Sequence, residues 1–166
     1  NGDSYFIGER QYIRTEYMGP SKKTVYHFSN VVVIKIDANG ELAWIKKLPK
    51  NQIGVKGTGQ MGIAYMEGKT ADYVAFVENK KNIGLSAEDG VPDKHADGHG
   101  GFLTTYKIDH ETGNLEKHTI CKIDEIKGIK TYQFKANRIF KALDKVFLME
   151  VYKKKKEDIM VKFELQ

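Results

Sequence analysis

The chain has 166 residues, 40% of them hydrophobic, with 27 Lys and Arg against 22 Asp and Glu and a single cysteine. That length sustains one domain with a real core rather than two. The lone Cys121 excludes an intramolecular disulfide framework, and no apolar run approaches the roughly 18 residues of a membrane-spanning helix. The net charge of +5 raises nucleic acid as a partner class. The basic residues are spread out, however, and their one dense run, Lys153 to Lys156, meets Glu157 and Asp158 at once. It reads as a solvated hairpin tip, so nucleic acid is not the expected partner.

From the N-terminus, alternating apolar residues predict strands over Tyr5 to Ile13, Val25 to Ile36 and Leu42 to Leu48, and a fourth near Met61 to Met66. Asp37-Ala38-Asn39-Gly40 reads as a hairpin turn. Further strands are predicted at Tyr73 to Asn79, Gly101 to Ile108, Leu115 to Cys121, Tyr132 to Phe140, Val146 to Lys153 and Ile159 to Leu165. One helix-compatible spacing, Ala136 to Leu143, is short and uncapped. Two long connections, Pro49 to Gln60 and Gly84 to Gly100, are rich in Gly, Asn, Asp and Lys and are expected to be surface loops. Cys121 lies in an apolar run, as a buried structural thiol does.

The chain also repeats itself. Asp3 to Glu9 (DSYFIGE), Asp72 to Glu78 (DYVAFVE) and Asp144 to Glu150 (DKVFLME) each hold an Asp, five mostly apolar residues and a Glu. Lys35-Ile36-Asp37 is echoed by Lys107-Ile108-Asp109, and Val161 to Gln166 (VKFELQ) supplies a third, shorter copy. These words mark repeats at residues 3–71, 72–143 and 144–166. Four antiparallel strands repeated in tandem about every 70 residues are the signature of a β-propeller blade. The expected fold is therefore all-β, a single propeller-like domain over residues 1–166. It is incomplete, because two and a half blades fall short of the roughly four to eight that close a ring. Starting at Asn1 without an initiator Met and entering a strand at once, the chain is expected to be a processed or excised piece of a larger propeller.

Several words carry a family resemblance: Gly2-Asp3 with Gly8-Glu9, Asn30 through Asp37, Gly40-Glu41 with Trp44, Lys47 through Gln52, and Phe76 with Asn79-Lys80-Lys81-Asn82. Together they resemble the C-terminal part of uncharacterised secreted or cell-envelope proteins of Bacteroidetes-type bacteria, which look like WD40- or PQQ-repeat-like β-propellers. The resemblance implies an extracytoplasmic location and a larger parent protein, and it implies no activity.

Among candidate sites, His95, Asp97 and His99 alternate in the word DKHADGHGG, so an extended segment would present two imidazoles and a carboxylate to a divalent metal. The competing reading is a polar, glycine-punctuated loop with solvated histidines, and His110 and His118, flanking a turn, read as surface residues. The recurring Asp3, Glu9, Asp72, Glu78, Asp144 and Glu150 could line a ring axis and bind a cation or serve as acid and base. Recurrence in every copy favours a structural role, since a catalytic residue tends to occur once. Trp44, the sole Trp, is a candidate stacking platform for a sugar, against packing between blades. Nucleophile-elbow, P-loop, dinucleotide and zinc-protease words are all missing. The reading is a non-enzymatic binding or scaffold module without a resident cofactor, for a protein or carbohydrate ligand. The alternative is a propeller hydrolase, lyase or carbohydrate-binding protein using axial carboxylates or the His-loop metal.

Overall fold

A computed structural model describes residues 2–54, 61–97, 100–131, 133–143, 145–154 and 157–164, with backbone alone at Met18, 133–137 and Lys154. β1 (Ser4–Met18) and β2 (Ser21–Ile36) make a long antiparallel hairpin. β3 (Leu42–Leu48) and β4 (Gln52–Gly54) follow one another along the far side of β2. After β5 (Ala64–Met66) and β6 (Ala71–Glu78), the short β7 (His95–Ala96) runs parallel to β4. β8 (Phe102–Asp109) and β9 (Leu115–Lys122) complete a second sheet in the order β5-β6-β8-β9. A small hairpin of β10 (Glu125–Ile126) and β11 (Ile129–Lys130) leads to the third sheet, β12 (Gln133–Leu143), β13 (Val146–Lys154) and β14 (Glu157–Glu164). The fold is all-β, its sheets are antiparallel apart from the contact between β4 and β7, and none closes on itself.

The sheets are joined through their faces. Val74, Phe76, Tyr106 and Ile108 on one face of the middle sheet pack on Val31, Val33 and Leu48 of the first. Tyr73, Ala75, Val77 and Leu103 on its other face pack on Phe147, Met149 and Val151 of the third. All eight residues of β6 are buried in consequence, which is why its sequence between the two acids is an unbroken apolar run rather than an alternation.

The proposed helix at Ala136 to Leu143 is instead the second half of β12, hydrogen-bonded to β13 with Ile139 opposite Met149 and Phe140 opposite Leu148. Its apolar residues satisfied a helical spacing, but an adjacent open strand edge decided the conformation. The two expected surface loops, of which 55–60 and 98–99 lie outside the described residues, are more tied down at their described residues than their composition implied. Pro49, Lys50 and Gln52 are buried, and the Gln52 amide donates to Val77 O (2.6 Å) while its oxygen accepts from Gly62 N (3.0 Å). In the second, Asn82 exchanges bonds with Asp93, donating to its carbonyl (2.8 Å) and accepting from its N–H (2.8 Å).

A buried charge sits where the ladder of the first sheet breaks. The register with β1 jumps from Glu9 opposite Val31 to Gln11 opposite Phe28, so Ser29 and Asn30 bulge against Arg10. Lys50 enters between β3 and β4 at this level, its N–H bonded to Asn30 Oδ1 (3.2 Å). Its ammonium, with a fully buried side chain, lies 2.5 Å from Glu9 Oε1 and over the rings of Phe28 and Phe76. Burial outweighs the attraction of Glu9 and pulls the Lys50 amine down to about 8.

Two outcomes follow from this packing. Lys50→Met alone leaves Glu9 buried without a cation and costs about 3–5 kcal/mol in urea unfolding, whereas adding Glu9→Gln restores most of the loss. Because the folded amine titrates near 8 and the unfolded one at its ordinary 10.5, the unfolded state binds more protons in that window. The stability of the parent chain relative to Lys50→Met therefore rises as pH increases from about 8 to 10.5.

Candidate functional site

The first and middle sheets meet at the end where β1 and β6 begin, and there they leave a cleft of about 840 Å³. Asp3 just before β1, Tyr5 of β1, Lys35 of β2, the turn at 67–70, the turn at 109–111 and Lys141 of β12 line it. Each wall is held by a turn whose sequence specifies it. Asp109 Oδ1 accepts from Thr112 N (2.8 Å), Thr112 Oγ1 (2.8 Å) and Glu111 N (3.1 Å). Those donors hold its carboxyl below the usual range. Asp37 caps the corresponding hairpin of the first sheet in the same way, accepting from Asn39 N (2.9 Å) and Glu41 N (2.8 Å).

Within the cleft the polar groups are tied together. The Lys35 ammonium pairs with Asp3 (3.0 Å) and donates to His110 O (2.8 Å), which joins the two sheets. The Asp3 bond holds the Lys35 amine above its ordinary value, while burial raises the Tyr5 hydroxyl. His110 Nε2 lies 2.9 Å from Asp72 Oδ1, and Asp72 is almost wholly buried. His110 is thus a half-buried partner of a carboxylate and not the surface residue expected from its place beside a turn. His118 is exposed, 3.4 Å from Glu116.

Each recurring carboxylate that is described lies against a basic side chain. Asp3 meets Lys35, Glu9 meets Lys50, Asp72 meets His110, Glu78 meets Lys117 (2.9 Å), and Glu150 meets Arg138. Asp144 lies outside the described residues. The Lys117 ammonium also donates to Asn82 O (2.7 Å) and sits over the Tyr106 ring. Burial and the charge of Glu78 together raise the Tyr106 hydroxyl. Lys50, Lys117 and His110 were not readable as partners, because each is distant in sequence from its acid and no local spacing links them.

Trp44 packs between sheets. Its ring lies 5.9 Å from that of Tyr5, and a Cβ on Gly113 would stand 2.8 Å from its Cδ2. Gly113 has a φ of 68°, so both backbone and space demand glycine there. The indole N–H of Trp44 is buried without a partner among the described residues. Of the proposed metal ligands, His95 is buried against Gly101 at the β4 to β7 contact. Asp97 follows, its N–H bonded to Ile53 O (2.9 Å). His99 lies outside the described residues, among which no group of three His, Cys, Asp or Glu side chains is gathered for a metal.

No protein-family model, curated protein or solved structure matches the chain. Its chemistry must be read from the cleft itself, where amines, carboxylates and hydroxyls are held by mutual bonds in fixed positions. That arrangement presents preorganised hydrogen-bonding groups along the cleft.

Gly113→Ala should strain the turn and press on Trp44, lowering stability by about 1–3 kcal/mol and shifting the Trp44 emission to the red. Burial raises the Cys121 thiol to about 11. Native protein at pH 8 should therefore resist iodoacetamide and become labelled only on unfolding.

Proposed function

We propose that this chain is a non-enzymatic binding or scaffold module made of propeller-like blades within a larger secreted or cell-envelope protein. The supporting observation is the way the lysines of three corresponding strands face. Tyr5 stands opposite Lys35, Tyr73 opposite Lys107, and Leu148 opposite Lys162. Lys35 lines the cleft against the middle sheet, Lys107 lines a pocket with Phe147 of the third, and Lys162 pairs with Leu148 on the outward face. Each therefore leans toward the following side, as equivalent positions in successive blades would.

On this frame the Asp-x5-Glu words fall on corresponding strands but out of step. Asp3 and Glu9 share the face of Lys35, whereas Asp72 and Glu78 lie on the face opposite Lys107, so acids from two copies meet in one interface. They are not a ring of equivalent axial groups, which weighs against a hydrolase or lyase reading. A ligand, protein or carbohydrate, would be held at the strand-end cleft. The extracytoplasmic location rests on the family resemblance.

A blade array also accounts for the outer face of the first sheet, where Phe6, Ile34 and Ile45 stand side by side and Phe6 and Ile45 are 58% and 56% exposed. The isolated chain is expected to self-associate through this face. Phe6→Lys with Ile45→Lys should make it monomeric in sedimentation, with an unchanged unfolding midpoint. Turnover in a hydrolase and lyase panel that vanishes in Asp3→Asn, or with His95→Ala and loss of bound metal, would overturn the scaffold reading.

A further inference from the structure

The third sheet has three strands where the middle sheet has four. In the middle sheet β9 pairs with β8 as the fourth strand; in the third, β14 pairs with β13 and no strand of the described residues pairs with its other edge. Beside that edge lies a groove of about 410 Å³, walled by Phe163 and Glu164 of β14 and floored by Thr105, Lys107, His118 and Ile120 of the middle sheet. In the contact between the first and middle sheets the equivalent space is filled from β3, with Trp44 seated on Gly113 and packed in one cluster with Leu115 at the start of β9.

A second observation marks the groove as incomplete. Thr105 is 2% exposed, lines it, and its hydroxyl is buried without a partner among the described residues. A buried hydroxyl left unbonded costs stability, which turning Thr105 Oγ1 toward an acceptor on an occupant would recover.

We infer that the β14 edge and this groove bind an extended peptide strand by β-augmentation, as a fourth strand of the third sheet. The strand bonds its backbone to β14, presents apolar residues to Ile120 and Phe163, and places a polar group at Thr105 Oγ1. It continues the interface already formed between the middle and third sheets, so its inner face has the chemistry of a blade strand: alternating, apolar inward. The inference rests on the correspondence of the three sheets in that reading but not on the lack of an activity, since an enzyme on the same sheets would keep the same edge.

The probe is a synthetic peptide with the sequence of Leu115–Lys122, carrying Cys121→Ser, because that strand holds the fourth position in the middle sheet. Hydrogen exchange followed by NMR should show alternate amides of Glu157–Glu164 slowed by about tenfold or more at saturating peptide. The same peptide N-methylated at alternate residues should bind without that protection or not at all. Absence of protection at about 1 mM peptide, a limit near 4 kcal/mol of binding, would overturn the inference. So would equal binding by the methylated peptide, or protection on β1 instead. If β14 is already protected in the free chain and loses protection on dilution, the occupant is a second copy and the peptide assignment fails. Loss of the scaffold reading through enzymatic turnover would leave all of these outcomes unchanged.

Discussion

The burial of β6 on both faces is the constraint from which the rest of the architecture follows. A strand with no solvent side must hand every side chain to a neighbouring layer, so the first and third sheets are obligatory covers. The same burial makes the acids at its ends, Asp72 and Glu78, expensive unless each finds a cation. Lys117 supplies one for Glu78 and the His110 ring stands against Asp72, and in doing so they draw the turn after β8 and the strand β9 into fixed positions. The cleft at one end and the clamped loop at the other are consequences of neutralising one strand.

The first sheet solves a related problem by different means. Its bulge at Ser29 and Asn30 opens the ladder, and Lys50 fills the gap from the break between β3 and β4. A lysine there can reach Glu9 while its stem crosses the aromatic surface of Phe28 and Phe76. Pro49 before it cannot donate to the ladder, which suits a position between strands.

Much of the strand pattern was legible because apolar alternation is local: nearly every predicted strand has its counterpart, and the Asp37 and Asp109 turns could be recognised as hairpin connections. What escaped was decided by partners distant in sequence. A strand is expected at Tyr132 to Phe140, but the overlapping helix-compatible spacing at Ala136 to Leu143 leaves that stretch ambiguous, and β13 lying beside it decides the conformation. The buried Lys50 looked like loop composition, and its partner Glu9 is 41 residues away. The carboxylate words were visible as repeats, but their meaning depends on which face each occupies, and a shift of one residue turns a side chain to the other side of a sheet. The sequence shows that Asp3 and Asp72 recur; only the register shows that they face each other.

That meeting of acids gives the molecule two unlike seams. Among the described residues, the seam between the first and middle sheets carries seven buried apolar residues together with a chain of polar contacts from Asp3 through Lys35 to His110 and Asp72. The seam between the middle and third sheets is a larger apolar cluster of eleven buried residues. Apolar burial weakens on cooling while charged contacts do not follow the same temperature course. One seam is thus the cold-sensitive joint and the other the polar one, and a chain made of similar sheets comes apart in a different order according to how it is stressed.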